Sequence, residues 1–179
     1  ISPFCEKQGD RLRPLDAVRL QRHFQARDCY DVIGLYSLGT DSMGRWAAVD
    51  IDRYDETVTT DQTRAFALEV FQLLRRLGFH PLLTDSDGKG GYHLRVFFRE
   101  PVEGEKLFRF ARWMTKDWRQ FGFAKRPESF PKQPAIGPGK FGNWLRLFGR
   151  HHKRDHYPSG FDGREWLADM PLIEHILKL

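Results

Sequence analysis

Two aspartates, Asp50 and Asp52, stand one residue apart in the stretch 46–52, whose other residues are apolar. Strand side chains alternate between faces, so both carboxylates point the same way, about 7 Å apart along the backbone. Such acids repel each other and are costly to desolvate unless a cation lies between them. The pair predicts a site for two divalent ions, Mg²⁺ or Mn²⁺, as used in phosphoryl transfer. A solvent-facing acidic pair at a strand end is the alternative.

A histidine and a glycine-rich turn follow in the sequence. His93 alternates with Tyr92 and Leu94, so it shares a face with the aspartates if the apolar residues face the core. Residues 88–91 offer flexible backbone N–H groups and the ammonium of Lys89, a concavity that can hold a phosphate. A structural histidine and a simple flexible hairpin are the alternatives.

A basic cluster lies near the C-terminal end. Arg146 sits between two leucines in a predicted strand, and the basic loop 149–154 follows with Arg150 and His152. Basic residues beside an acidic site suit a triphosphate, whose charge needs partners beyond the metal ions. A solvated basic loop would have the same composition.

A second basic group lies on a helix predicted over residues 104–121. Four of its side chains fall within a sector of about 80° at helical spacing. They are Arg109, Arg112, Lys116 and Arg119. This stripe predicts a surface for the phosphate backbone of a nucleic acid, which agrees with the net charge of +5, although an ordinary solvated face is the alternative.

The elements that position these residues follow from apolar periodicity. We predict strands at 45–52, 79–84, 92–98 and 143–148, helices at 60–77 and 104–121, and a loop at 127–140. This β-α-β-β-α-β order is the α+β, ferredoxin-like and RRM-like pattern. Its first and third strands lie side by side, its last strand flanks the first, and its helices cover one face. A helix at 14–26 and a strand at 32–38 predict a small N-terminal α/β unit.

Length and composition predict one globular domain. Its 179 residues are 40% hydrophobic and 30% charged, and no apolar run approaches the roughly 20 residues that cross a bilayer. Two cysteines favour a reducing cytoplasm over a disulfide framework. We expect an N-terminal unit at 1–40, a catalytic core at 41–150 and an extension at 151–179. Because the chain starts without methionine, we expect it to be part of a longer protein.

Three motifs in this order resemble the archaeo-eukaryotic primase superfamily, over about residues 31–150. The resemblance is strongest to the primase-polymerases of TOTE conflict systems and of CRISPR-associated systems. The motifs are Asp50-Ile51-Asp52, Gly91-Tyr92-His93, and Glu128 ahead of a basic strand. Two departures are Gly91, where many relatives carry serine, and Glu128, where many carry aspartate.

The resemblance implies a template-directed nucleotidyltransferase, a DNA primase or polymerase that uses NTP or dNTP on single-stranded DNA or RNA, with or without a primer. Asp50, Asp52 and Glu128 are then the catalytic metal ligands. The implied nucleotide-binding residues are Ser86, Lys89, Gly91, His93, Arg146, Arg150 and His152. A helicase, a nuclease or a CRISPR-associated module is an expected partner elsewhere in the full-length protein, and no membrane is involved.

Two other functions compete with this one. A metal-dependent nuclease or nicking enzyme commonly needs a histidine pair, but neighbouring strand residues such as His151 and His152 face opposite ways. A non-catalytic RNA-recognition module carries stacking aromatic residues on its two central strands. Here those positions hold Asp50, Asp52 and His93.

Overall fold

The protein is described by a computed structural model that covers residues 5–8, 11–25, 29–53, 57–138, 140–151 and 153–179. The strands are β1 (Cys5–Gln8), β2 (Arg11–Pro14), β3 (Gly34–Tyr36), β4 (Met43–Ile51), β5 (Leu82–Asp85), β6 (Tyr92–Glu103), β7 (Glu128–Phe130), β8 (Trp144–Arg146), β9 (Gly160–Phe161) and β10 (Trp166–Leu167). The helices are α1 (Ala17–Gln25), α2 (Thr60–Arg76), α3 (Gly104–Met114) and α4 (Asp169–Ile176). Short 3-10 turns lie at Cys29–Asp31 and Trp118–Phe121.

The main sheet is antiparallel, with strand order β10-β9-β5-β6-β4-β7. Strands β4 and β6 lie side by side in its interior, and Asp50 stands directly opposite His93 in their register. The α+β class and the central pairing of the first and third predicted strands are therefore confirmed. The described chain also contains a β1–β2 hairpin, which the sequence pattern did not predict, and a two-stranded β3–β8 sheet.

One face of the main sheet packs against α2 and α3. Val49 and Ile51 of β4 are fully buried in this core, as is Leu94 of β6, so the predicted alternation of these strands is confirmed. Helix α2 begins with a capping box, in which the Thr59 hydroxyl accepts from the Gln62 backbone and the Gln62 side chain accepts from the Thr59 backbone. The helix therefore begins at Thr60, the first residue of the predicted range, with Thr59 as its cap.

The strand that flanks β4 was predicted wrongly. It is β7, which comes from the segment 127–140 that we expected to be a loop, while β8 pairs with β3 in the small sheet. Strand β7 is only three residues long and lies between Pro127 and Pro131, so its local sequence favours a loop. Burial of Ser129 and Phe130 and the ladder to β4 override that preference. Because β3 pairs with β8, the expected N-terminal unit shares its sheet with a later part of the chain.

The helix predicted over residues 104–121 ends at Met114. The Thr115 hydroxyl donates to the Arg112 carbonyl, and Arg126 Nη2 donates to the same oxygen at 2.6 Å. These bonds satisfy the Arg112 carbonyl, which lies in the last helical turn, where carbonyls lose their helical partners. Among the described residues, no helix is long and apolar enough to span a membrane.

Candidate active site

The side chain of Asp50 lies on the face of the main sheet opposite to α2 and α3. We expected this face to be free, but the β3–β8 sheet covers part of it, because Leu145 packs against Ala48 and Phe130. In register, His93 of β6 lies on one side of it and Glu128 of β7 on the other. Residues directly opposite each other in antiparallel strands point to the same face. Three of the predicted site residues are thus brought together by the backbone ladder.

The Asp50 carboxylate is mostly buried, with 16% of its side chain exposed. Its Oδ1 lies 3.2 Å from His93 Nε2, a polar contact that is too poorly aligned to be a full hydrogen bond. A buried oxygen in this state costs free energy unless a further donor or a cation is supplied.

His93 is held by a buried arginine that the sequence motifs did not single out. Arg95 Nη2 lies 3.0 Å from His93 Nδ1 and donates to the Arg146 carbonyl at 2.7 Å. Because a guanidinium only donates, His93 Nδ1 accepts and the ring proton belongs on Nε2, toward Asp50. Burial lowers the pKa of His93, the Arg95 charge adds to this shift, and Asp50 opposes it. The imidazole is therefore neutral at pH 7.

Asp52 lies just beyond the end of β4 and is partly buried. The pKa of its carboxyl is raised to about 7. Burial is the largest cause, and the charges of three nearby carboxylates add to it: those of Asp50, Asp87 and Glu128. Arg146 acts in the opposite direction. This end of the sheet therefore carries more negative charge than its own cations neutralise.

Glu128 forms an ion pair with Lys132, whose Nζ lies 2.5 Å from Glu128 Oε2. About a third of each side chain is exposed, at 34% and 33%. In the part of the chain that the structure describes, no three His, Cys, Asp or Glu side chains converge closely enough to enclose a metal ion. In this conformation Glu128, the third predicted metal ligand, is paired with Lys132.

The glycine-rich turn before β6 differs from its prediction. Its backbone N–H groups donate within the turn: Gly88 to Asp85 Oδ1 at 2.7 Å, and Lys89 and Gly91 to Asp87 Oδ1 at 2.8 and 3.1 Å. These three groups are consequently engaged, and the expectation that they form an open phosphate-binding concavity is wrong for this conformation. The ammonium of Lys89 is the remaining predicted contact in the turn.

Residues from the C-terminal part of the chain clamp this turn from outside. Arg154 Nη1 donates to Asp87 Oδ2 at 2.6 Å and to the Asp87 carbonyl at 3.0 Å. Asp85 Oδ1 lies 2.8 Å from His156 Nε2, and Asp85 Oδ2 accepts a hydrogen bond from the Ser159 backbone N–H at 2.9 Å. We call Arg154, His156 and Ser159 the C-terminal clamp. No local pattern in the sequence indicates it, because the partners are 67 to 74 residues apart.

Two of the predicted nucleotide-binding residues meet at the start of the turn. Arg146 Nη2 donates to the Ser86 carbonyl at 2.6 Å, and Arg146 Nη1 lies 3.3 Å from the Gly149 carbonyl. The Ser86 side chain lies against Gly91, where an added Cβ would come within 2.4 Å of Ser86 Oγ. Gly91 is thus the residue that leaves room for this hydroxyl.

The other predicted contacts are more dispersed. Arg150 forms an ion pair with Asp155 at 3.0 Å, and His152 lies outside the described residues. The basic stripe is not a single helical face, because Lys116 and Arg119 follow the end of α3. Each of three stripe residues also has a local partner: Arg109 with Glu105, Lys116 with Asp117, and Arg119 over the ring of Trp118.

Arg112 lies in a different setting from the rest of the stripe. With Arg126 and Lys132 it lines an open depression of about 240 Å³ that also borders Glu128. Three cations therefore lie near Glu128 at the β7 edge of the sheet. This depression is the part of the predicted basic surface that adjoins one of the three carboxylates.

The family model for the archaeo-eukaryotic primase domain of TOTE conflict systems matches residues 3–168. The chain belongs to this family. At the family level, this primase domain is of the primase-polymerase, nucleotidyltransferase type, and enzymes of the superfamily generally depend on divalent metals.

One solved structure similar to the primase domain is the polymerase domain of Mycobacterium tuberculosis Ligase D in complex with DNA. The two share 20% sequence identity and a TM-score of 0.38, over 50% of this chain and 32% of that one. The chain therefore spans about a third of the length of that solved chain. No curated protein matches the sequence.

Proposed function

We propose that this primase domain joins NTP or dNTP nucleotides on a single-stranded template, with Asp50, Asp52 and Glu128 holding divalent ions. The observation that carries the proposal is the position of Asp50. Its carboxylate is mostly buried, has one oxygen whose contact with His93 is poorly aligned for a hydrogen bond, and stands in register with Glu128. A hard cation is the partner that such an oxygen favours.

The donor set fits such a cation on a second ground. The raised pKa of Asp52, which follows from burial and from the nearby carboxylates, shows that the acids repel one another without a counter-charge. When bound, divalent ions supply Lewis-acid activation of the attacking hydroxyl and neutralise the departing pyrophosphate. For Glu128 to bind the cations with Asp50 and Asp52, its ion pair with Lys132 must break.

The geometry supports a positioning role for His93 in place of the phosphate contact that the resemblance implies. Both of its ring nitrogens face protein groups, Nε2 toward Asp50 and Nδ1 toward Arg95. A neutral imidazole fixed in this way restricts the Asp50 carboxylate without adding charge to it. Outer groups of this kind orient ligands and are costly to lose.

In this proposal, the triphosphate is bound by Lys89, Arg146 and Arg150. Arg146 is partly buried at the edge of the acidic site, where charge-assisted bonds to phosphate are strong.

Ser86 supplies the hydroxyl that many relatives place at position 91, because its Oγ occupies the space beside Gly91. The exchange variant Ser86→Gly with Gly91→Ser should recover nucleotide affinity that Ser86→Gly loses. Equal nucleotide KM values for Ser86→Gly and for the exchange variant would contradict this role.

The template backbone passes the depression of Arg112, Arg126 and Lys132 in this proposal, and the more dispersed Arg109, Lys116 and Arg119 contribute through long-range charge. Neutralising Arg112 and Arg126 together should reduce the salt dependence of oligonucleotide binding. Neutralising Arg109 and Lys116, which have local acidic partners, serves as the matched control. Equal salt slopes for both double variants would place the template elsewhere.

The function is tested by incubating the domain with primed and unprimed single-stranded templates. Each NTP or dNTP set is supplied with Mg²⁺ or Mn²⁺, and products are resolved by length. We expect nucleotide incorporation that stops when EDTA is added. Absence of incorporation with every combination, by a domain that still binds the template, would contradict the proposal.

A further inference from the structure

Three aromatic rings lie exposed together on the small β3–β8 sheet and the loop that leads into it. Tyr36 is 45% exposed, Phe141 47% and Trp144 53%. The rings of Tyr36 and Phe141 are stacked, with centroids 5.4 Å apart and planes inclined by 29°. Tyr36 stands opposite Trp144 in the β3–β8 register, so their side chains share one face. We call these three residues the aromatic platform.

The platform is fixed to the rest of the protein from below. Leu145, which alternates with Trp144, is buried against Ala48 of β4 and Phe130 of β7. The indole of Trp144 lies directly over Gly34, where an added Cβ would come within 2.3 Å of the ring. The rings are therefore exposed on an anchored strand, and their exposure does not come from a loose segment.

The charge around the platform indicates which partner it suits. Residues 136–150 include Lys140, Arg146 and Arg150 but no aspartate or glutamate. Arg146 follows Trp144 by two residues on the same strand and reaches the Ser86 carbonyl at the candidate site. Exposed rings interleaved with cations match a single-stranded nucleic acid, whose bases stack while its phosphates are neutralised.

We propose that the aromatic platform stacks unpaired bases of the template strand beside the active site. The identity of the strand as a template rests on the proposed function, whereas the stacking does not. Aromatic stacking accepts any base, because every base has a π-face, and this tolerance is what a template of arbitrary sequence requires. Trp144 of the platform lies on the strand that carries Arg146, so a template held there leads toward the nucleotide.

The test compares two probes in EDTA and without nucleotide, so that catalysis plays no part. One probe is a short fluorescein-labelled oligothymidylate, and the other is an abasic oligonucleotide of the same length and charge. Binding of each is measured by fluorescence anisotropy for wild type, Trp144→Leu and the conservative control Trp144→Phe. Phe141→Leu, which alters a loop residue, provides the same comparison if Trp144→Leu fails to fold.

We expect Trp144→Leu to weaken oligothymidylate binding roughly tenfold and to leave abasic binding unchanged, with Trp144→Phe close to wild type. Equal losses on both probes, or a loss on neither, would overturn the platform. A wild-type domain that discriminates the probes but incorporates no nucleotide would refute the proposed function alone. Incorporation by a domain whose leucine variants bind both probes normally would refute the platform alone.

Discussion

The two sides of the candidate site are held in different ways. Asp50 is positioned by the hydrogen-bond ladder of three neighbouring strands, with His93 and Glu128 in register on either side. The turn that carries Lys89 is instead fixed by side chains of the C-terminal clamp, across 67 to 74 residues of sequence. The geometry of the carboxylates is therefore set by the sheet, whereas the geometry of the proposed nucleotide contacts depends on a few side-chain bonds.

The largest expected effect comes from Asp50, which lies on the side of the site that the sheet holds, here called the sheet side; the side held by the C-terminal clamp is called the clamp side. Asp50→Asn should reduce nucleotide incorporation by roughly a thousandfold or more, because it removes the central charge that holds the cations. The melting temperature should change little, because relief of the repulsion with Asp52 is offset by the loss of the opposite charge beside buried Arg95. Asp61→Asn on the exposed surface of α2 is the matched control. Near-normal incorporation by Asp50→Asn would show that the mechanism does not depend on the carboxylates.

The clamp side should respond in affinity more than in turnover. Arg154→Ala releases Asp87, so the turn loses its external hold and the KM for nucleotide should rise about tenfold while kcat changes little. Arg154→Lys should recover part of the loss, and Arg164→Ala in the same part of the chain should have no effect. Steady-state kinetics with varied nucleotide distinguishes these outcomes. A fall in kcat at constant KM would show that the clamp acts on the carboxylates instead.

The raised pKa of Asp52 predicts a pH dependence of stability on the sheet side. A carboxyl whose folded-state pKa is about 7 binds its proton more tightly than in the unfolded chain, so its cost is absent near pH 4 and grows as the pH rises to 7. Asp52→Asn should therefore match wild type in stability near pH 4 and exceed it above pH 7, by on the order of 1–3 kcal/mol. Denaturant unfolding without metal measures this difference. A constant difference across this range would contradict the raised pKa.

The smallest effect concerns the ion pair between Glu128 and Lys132. Lys132→Ala should tighten Mn²⁺ binding by a few-fold, because a partly exposed ion pair is worth about 0.2–1 kcal/mol and competes with the metal. Lys106→Ala, which breaks the exposed pair with Glu103, controls for the loss of one positive charge. Titration calorimetry resolves both. Weaker Mn²⁺ binding by Lys132→Ala would mean that the lysine supports the metal site.

The sheet side could be predicted from the sequence because its signals are local. Asp50 and His93 alternate with apolar neighbours, and that alternation alone assigns them to the face opposite the helices. It does not indicate that the β3–β8 sheet packs against part of that face. The clamp could not be predicted, since Arg154 and Asp87 meet only through the fold. Strand β7 was missed for a related reason: three residues between prolines read as a loop until β4 pairs with them.

Some of the missed features did leave a signal in the sequence. Lys132 stands four residues after Glu128 and could have been paired with it from spacing alone. The break in the basic helix follows from Thr115, whose hydroxyl competes for a helix carbonyl, although the contribution of Arg126 comes from outside the helix. The stripe of four basic residues was therefore wrong as a single face, while Arg112 kept a place beside the site.

We propose that Asp50, Asp52 and Glu128 together hold the cations that nucleotidyl transfer requires. A crystal of the domain soaked with Mn²⁺ and a non-hydrolysable nucleotide tests it directly through anomalous scattering. We predict manganese peaks bounded by these three carboxylates, with Glu128 turned away from Lys132 and the triphosphate on the side of Arg146. Manganese bound elsewhere, with Glu128 still paired to Lys132 under saturating metal, would contradict the account.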